Sequence, residues 1–369
     1  MGKGTVLYVG GFELPDKNAA AQRVVSIAKI LRDIGYNVVF LNQSTYADST
    51  AWKETEYFGF KCFERKKGAL VKELFNIDHI KHHIQSLGDV VAVIAYNYPA
   101  VALRRLNKYC RQNNIKCIGD ITEWYGSKDR SIVYKIIKGS DTFYRMKYQH
   151  KKLSGNIVIS DYLEAYYQDS TNVVNLPPLV DKREEKWRQC SKTHKGVQLV
   201  YAGSPSSEKE RLDLIVKAIS ELGKRYSVSL KVIGVTREQF LEMYRLGNIE
   251  IGDTVSFLGR ISHQEVIKYV SEADYSILIR DNNRVNTAGF PTKFVESISC
   301  GTAVIANNSS CIAKYFAEGK NGYLISEKSI KEELESILER DAKPDVEADL
   351  FDYRNYINEL REFMESCNV

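Results

Sequence analysis

Residues 175–196 read NLPPLVDKREEKWRQCSKTHKG, and what lies on either side of this stretch decides the fold. Pro177 and Pro178 stop regular structure, and the charged residues after them have the composition of a linker. Before the break come five short apolar runs: VLYVG (6–10), NVVFLN (37–42), VVAVIAYN (90–97), KCIGDIT (116–122) and NIVIS (156–160). After it the rhythm restarts with VQLVYAG (197–203), LKVIG (230–234), VSFLG (255–259), YSILI (275–279) and TAVIA (302–306). Runs that are apolar throughout mark strands covered on both faces, as in parallel sheets. Helical stretches separate them, among them 19–34, 212–222 and 264–271. The pattern is βαβ architecture written twice. It predicts an α/β protein of two doubly wound domains facing across a cleft, residues 1–178 and 179–350. In residues 351–369, Phe351, Tyr353, Tyr356, Ile357, Leu360 and Met364 recur at roughly helical spacing, which predicts a terminal helix.

Length and composition agree. A chain of 369 residues exceeds what one hydrophobic core usually holds. With 44% hydrophobic and 27% charged residues, it reads as globular. Without an apolar run of about 18 residues, a transmembrane helix is not expected. The first strand begins at Val6, which leaves no room for a signal peptide. Seven cysteines, an odd number with no CxxC pair, suit free thiols in a reducing cytoplasm better than disulfides or zinc. Net charge is +5 overall, divided as +8 over residues 1–180 and −3 over the rest. Only the first half is suited to an anionic partner.

In open α/β sheets ligands bind beyond the carboxyl ends of strands, so the loops after strands matter most. After the first comes GGFELPDKNAAAQR (10–23). Gly10 and Gly11 would let the backbone approach a phosphate or sugar, or would simply make a tight turn. Arg23, one turn inside the following helix, would reach the same cleft or lie exposed. There is no GxGxxG, which argues against a dinucleotide oxidoreductase. DITEWYG (120–126) places Asp120, Glu123 and Trp124 at a strand end, either binding and stacking on a sugar or packing the core. YAGSPSSEKER (201–211) sets Gly203, Ser204 and Lys209 at another, with Lys209 placed to meet an anion. Arg280 ends the strand YSILI. Finally, GFPTKFVESISCG (289–301) carries Phe290, Pro291 and Thr292 into a short helix. Its free N–H groups and Lys293 would hold a diphosphate, and Glu296 would accept from ribose hydroxyls.

These stretches resemble glycosyltransferases of the GT-B fold, specifically the large retaining family 4, or group 1, as found in bacterial polysaccharide synthesis. The resemblance spans nearly the whole chain: GGFELPDKNAAAQRVVSIAKILRDIGYNVVFLN at the start, VQLVYAGSPSSEKERLDLIVKAI and VSFLGRISHQEVIKYVSEADYSILI in the second half. GFPTKFVESISCGTAVIANNSSCIAKYFAEGKNGYLI, similar to the family's nucleotide-sugar signature, is the most specific part. It implies two Rossmann-like domains, with donor nucleotide bound by the C-terminal domain and acceptor by the N-terminal one, and a C-terminal helix crossing back. Glu296 then matches the second glutamate of the family's E-x7-E motif and Lys209 its diphosphate lysine. The first glutamate falls on Ala288, the usual arginine falls on Ser204, and DITEWYG lacks the family's histidine. Arg280 and Lys293 would replace the missing positive charge.

The implied chemistry is transfer of a hexose, with retention, from a UDP- or GDP-linked donor to an acceptor hydroxyl. It requires no cofactor or metal, and no DxD triplet occurs. The acceptor would be a glycan or lipid-linked glycan in surface polysaccharide synthesis. Residues 61–83 and 128–152 interleave basic with apolar side chains. Ile132, Val133, Ile136 and Ile137 there, between Arg130, Lys135 and Lys138, suit an anionic membrane surface at the inner face of the cell membrane, or a solvated face over ordinary core. Nucleic acid is not expected, since no binding motif accompanies the charge. A GT-B nucleotide-sugar epimerase and a catalytically silent binding protein are the alternatives.

Overall fold

The computed structural model describes residues 2–15, 18–68, 70–124, 132–188, 194–206, 209–247, 249–309, 311–317 and 319–369, without the side chains of 70–72 and 132–135. The chain forms two units. Met1–Val180 with Tyr353–Val369 make the first, and Asp181–Asp352 the second.

The first unit is built on eight strands: β1 (Thr5–Gly10), β2 (Asn37–Ser44), β3 (Lys53–Tyr57), β4 (Phe60–Lys66), β5 (Val90–Tyr96), β6 (Lys116–Ile121), β7 (Gly155–Val158) and β8 (Asn172–Asn175). Their order is β3-β4-β2-β1-β5-β6-β7-β8, parallel apart from the β3–β4 hairpin. All six residues of β1 are buried. Val6 and Tyr8 enter one core with the helices Ala19–Asp33 and Ile357–Ser366, while Leu7 and Val9 enter another with Ile80, Leu103 and Leu106. The alternation of one short strand between two cores explains its unbroken apolar sequence. Asn18 starts the first helix by accepting the Ala21 N–H at 3.0 Å, a standard N-cap. The terminal helix belongs to this unit, with Leu360 and Met364 fully buried.

The second unit holds β9 (Val197–Ala202), β10 (Val228–Ile233), β11 (Val255–Gly259), β12 (Tyr275–Leu278), β13 (Ala303–Ala306) and β14 (Gly322–Leu324). The order β11-β10-β9-β12-β13-β14 is parallel throughout. The order reverses between β9 and β12, and in the first unit between β1 and β5. Such switch points open a crevice at the carboxyl ends of the strands. The loops after β9 and β12 therefore flank one spot.

Four strands escape the sequence reading: β3, β4, β8 and β14. Each is short or polar, and β3 (KETEY) is largely exposed. Edge strands with charged side chains leave no apolar signature. No helix among the described residues is long and apolar enough to cross a membrane.

Candidate active site

At the β9/β12 switch point a bridge between Glu210 and Arg280 ties the two loops together. The Arg211 N–H donates to the Ile279 carbonyl at 2.8 Å. Asn286, in the short helix after β12, fastens the joint: its amide donates to the carbonyls of Lys209 (3.0 Å) and Asp281 (2.8 Å). Its oxygen accepts from Arg280 Nη2 at 2.8 Å. The backbone of Arg280 is held in turn by Asn307, which accepts its N–H at 2.9 Å and donates to its carbonyl at 2.8 Å.

Arg280 is only 8% exposed. Its Nε and Nη1 are buried with no hydrogen-bond partner among the described residues. Burial lowers its pKa, against the opposing charge of Glu210. A buried donor without an acceptor is destabilising and demands an explanation.

Lys293 lies in the first turn of the helix Thr292–Ser299. Its ammonium does not stand free. It sits 2.7 Å from both carboxylate oxygens of Glu210 and 2.7 Å from the Tyr201 hydroxyl, and Tyr201 itself donates to Glu210. Burial lowers the Lys293 pKa, while Glu210 opposes the shift. Burial, reinforced by the charge of Glu210, raises that of Tyr201 well above the phenol range. Gly203 makes room for this arrangement. It adopts φ +138°, and a Cβ there would collide with the Lys293 stem.

Glu296, one turn further on, points elsewhere: its Oε1 lies 3.3 Å from His263 Nε2, at the start of the helix His263–Glu272, whose cap is Ser262. Lys293 and Glu296 thus face different partners. Lys209 and Ser204 have exposed side chains. Pro291 is the N-cap of the helix, and Thr292 is half-buried. Phe290 packs edge-on against Tyr315 and Phe351.

In the first unit the structure corrects several expectations. Arg23 is not exposed: it keeps 3% of its surface, and Asp120 is fully buried. The Arg23 guanidinium pairs with Asp120 at 2.8 Å and donates to the Leu176 carbonyl, and the Tyr8 hydroxyl also donates to Asp120. Trp124 is packed edge-to-face on Tyr166 at 5.2 Å, so its ring is core rather than a sugar platform. Glu123 is half-buried. A Cβ on Gly10 would meet the Phe12 ring at 2.7 Å, and one on Gly11 the Gln43 carbonyl at 3.1 Å. Close packing therefore accounts for Gly10, whereas Gly11 is exposed and a Cβ there would only crowd that carbonyl. Arg130 lies outside the described residues, as do the side chains of Ile132, Val133 and Lys135. Among the described residues no three His, Cys, Asp or Glu side chains gather as a metal-ligand set.

Glu210, Tyr201, Asn286 and His263 were not singled out by the sequence. An acid next to an exposed lysine normally reads as surface, and only the loop path reveals that Glu210 is 8% exposed.

Residues 182–349 match the family described as Glycosyl transferases group 1. The second unit is a group 1 glycosyltransferase domain. No curated protein sequence matches the chain. Among solved structures, the chain is similar to sucrose-phosphate synthase from Thermosynechococcus elongatus, at 14% identity and TM-score 0.71 over 98% of both chains. HepE from Anabaena, in complex with UDP and glucose, matches at 13% identity and TM-score 0.65 over 98% of this chain and 100% of its own. The catalytic domain of starch synthase IV from Arabidopsis thaliana, bound to ADP and acarbose, matches at 9% identity and TM-score 0.69 over the whole of both chains. At such identities the likeness is one of fold, and the fold is GT-B. The group 1 domain brings together Arg280, Lys293 and Glu210 at its switch point and keeps Glu296 at the next helix turn.

Proposed function

We propose that the protein transfers a hexose from a nucleoside diphosphate sugar to an acceptor hydroxyl. The observation that carries this reading is Arg280, a buried guanidinium with Nε and Nη1 unpartnered, at a strand end beside the start of the helix Thr292–Ser299. The donor diphosphate takes that seat. Charge that develops on it as the glycosidic bond breaks is stabilised by Arg280, by Lys293, by the helix N-terminus and by Lys209 reaching in from its exposed position. Glu296, with His263 at its other side, accepts from the ribose hydroxyls. The family match to residues 182–349 supports the reading, as do the similar structures of HepE in complex with UDP and of starch synthase IV bound to ADP.

On this reading the donor is UDP- or GDP-linked, no metal or cofactor takes part, and configuration is retained. The acceptor is a glycan or lipid-linked glycan in cytoplasmic assembly of a surface polysaccharide. The test is thermal unfolding with UDP, GDP, CDP, dTDP and NAD, for the natural protein and Glu296→Ala. One diphosphate at 100 times its dissociation constant should add about 2.7 kcal/mol to stability, and the variant should lose it. No shift with any nucleotide would sink the reading. A shift without turnover would point to a silent binding protein, and an altered free sugar nucleotide without acceptor to an epimerase.

A further inference from the structure

The helices His263–Glu272 and Thr292–Ser299 pack against each other. His263, Ile267 and Val270 fall at i, i+4 and i+7 on one face of the first, and Glu296 and Cys300 at i and i+4 on one face of the second. Ile267, Val270, Ile298 and Cys300 are buried in the joint. The Cys300 thiol lies 4.0 Å from the Ile267 carbonyl, and the Thr302 hydroxyl donates to the Val270 carbonyl at 2.7 Å. This packing sets the register of one helix against the other and brings His263 and Glu296 together at their starts. Both helices follow strands, β11 and β12, so the two residues stand at the carboxyl ends of the sheet, where ligands of open α/β sheets bind.

The His263 ring is not needed to start its helix. Ser262 Oγ accepts the Glu265 N–H at 3.3 Å, and Glu265 Oε2 accepts the Ser262 N–H at 3.0 Å, which closes a capping box. Nε2 of His263 instead lies 3.3 Å from Glu296 Oε1. An ionised carboxylate can only accept, so Nε2 carries the proton in this contact. The side chains of Glu296 and His263 keep 17% and 37% of their surface, enough for a ligand to reach the carboxylate. A glutamate carboxylate turns through a broad torsional well when nothing holds it. Lys293 is committed to Glu210 and Tyr201, which leaves the holding of Glu296 to His263.

We propose that His263 is a positioning residue for Glu296 and, through it, makes the site select ribonucleotides over 2′-deoxyribonucleotides. This role presupposes that Glu296 accepts from ribose hydroxyls, as proposed above. The neighbouring hydroxyls at C2′ and C3′ match the two oxygens of one carboxylate only while its plane is fixed, and the His263 N–H on Oε1 fixes it. Oε1 keeps a lone pair for one hydroxyl, and Oε2 takes the other. A 2′-deoxyribose forfeits one of these charge-assisted hydrogen bonds. A carboxylate free to turn recovers part of that loss by following the remaining hydroxyl, so selectivity depends on the histidine.

Isothermal titration calorimetry of the intact chain with UDP and 2′-deoxy-UDP, and with GDP and 2′-deoxy-GDP, tests it. The natural protein should bind the ribose form of its nucleotide at least about tenfold more tightly than the deoxyribose form. His263→Ala should lower that ratio at least about threefold. His263→Gln, which returns an amide N–H towards Glu296, should restore most of it. A merely structural histidine would weaken both forms alike, so an unchanged ratio in His263→Ala would overturn the proposal, as would a glutamine variant no better than alanine. Glu296→Ala separates the two levels. If it abolishes the ratio while His263→Ala keeps it, Glu296 retains its role and the positioning role alone fails. If Glu296→Ala keeps the full ratio, or neither ribose form binds the natural protein, both roles fall together.

Discussion

The ammonium of Lys293 lies 2.7 Å from both carboxylate oxygens of Glu210, although 83 residues separate them in sequence. Both side chains are largely removed from water. A lysine that reads as a diphosphate ligand therefore enters the site already paired, and a donor must compete with Glu210 or share the lysine with it.

Removing one partner of such a pair leaves a buried charge, which typically costs about 3–5 kcal/mol. Glu210→Ala should show that loss in urea unfolding. Lys293→Met combined with Glu210→Gln should recover most of it, because neither buried charge remains. A double variant as unstable as Glu210→Ala would mean that the stranded Lys293 charge is not what destabilises the single variant.

Arg280 should behave in the opposite way. Its two unpartnered N–H groups are a liability without an anion, and each unsatisfied buried donor is worth about 1–3 kcal/mol. Arg280→Met should therefore leave stability within about 1 kcal/mol of the natural protein while abolishing stabilisation by nucleoside diphosphates. A retained nucleotide shift in thermal unfolding would place the diphosphate elsewhere.

The Arg23–Asp120 pair is expected to be structural. Asp120→Ala should cost about 3–5 kcal/mol in unfolding of the first unit, read by denaturation, and leave nucleotide stabilisation of the second unit intact. Loss of nucleotide binding in a still-folded Asp120→Ala variant would return Asp120 to the candidate site.

His79 stacks on Trp52 at 5.5 Å and lies 3.3 Å from Gln43. Burial first, then the positive charge of Arg65, lowers its pKa from 6.5 to about 4. Between those values the unfolded chain binds a proton that the folded chain does not. The stability that His79 contributes as a neutral group is thus present above pH 6.5 and is lost as pH falls towards 4. His79→Gln should flatten the stability profile in that window, and a magnetic-resonance titration should place the imidazole midpoint near the lower value. An unchanged slope would mean that the folded protein protonates His79 as readily as the unfolded chain.

The sequence by itself determined the two α/β units, because strands covered on both faces must be apolar throughout and the polar break at Pro177-Pro178 is visible in composition. It also determined which loops follow strands, so that Arg280, Lys293 and Glu296 could be singled out at their ends. Tertiary structure alone decided what those side chains touch. Glu210 holds Lys293, His263 meets Glu296, and Asp120 holds Arg23 across 97 residues. The polar edge hairpin β3–β4 belongs to the same class, since its place in the sheet comes from pairing with β2 and not from an apolar pattern of its own. The physical reason is common to all of them. Burial periodicity is local and is written residue by residue, whereas the pairing of charges depends on where distant loops arrive once the sheets have formed.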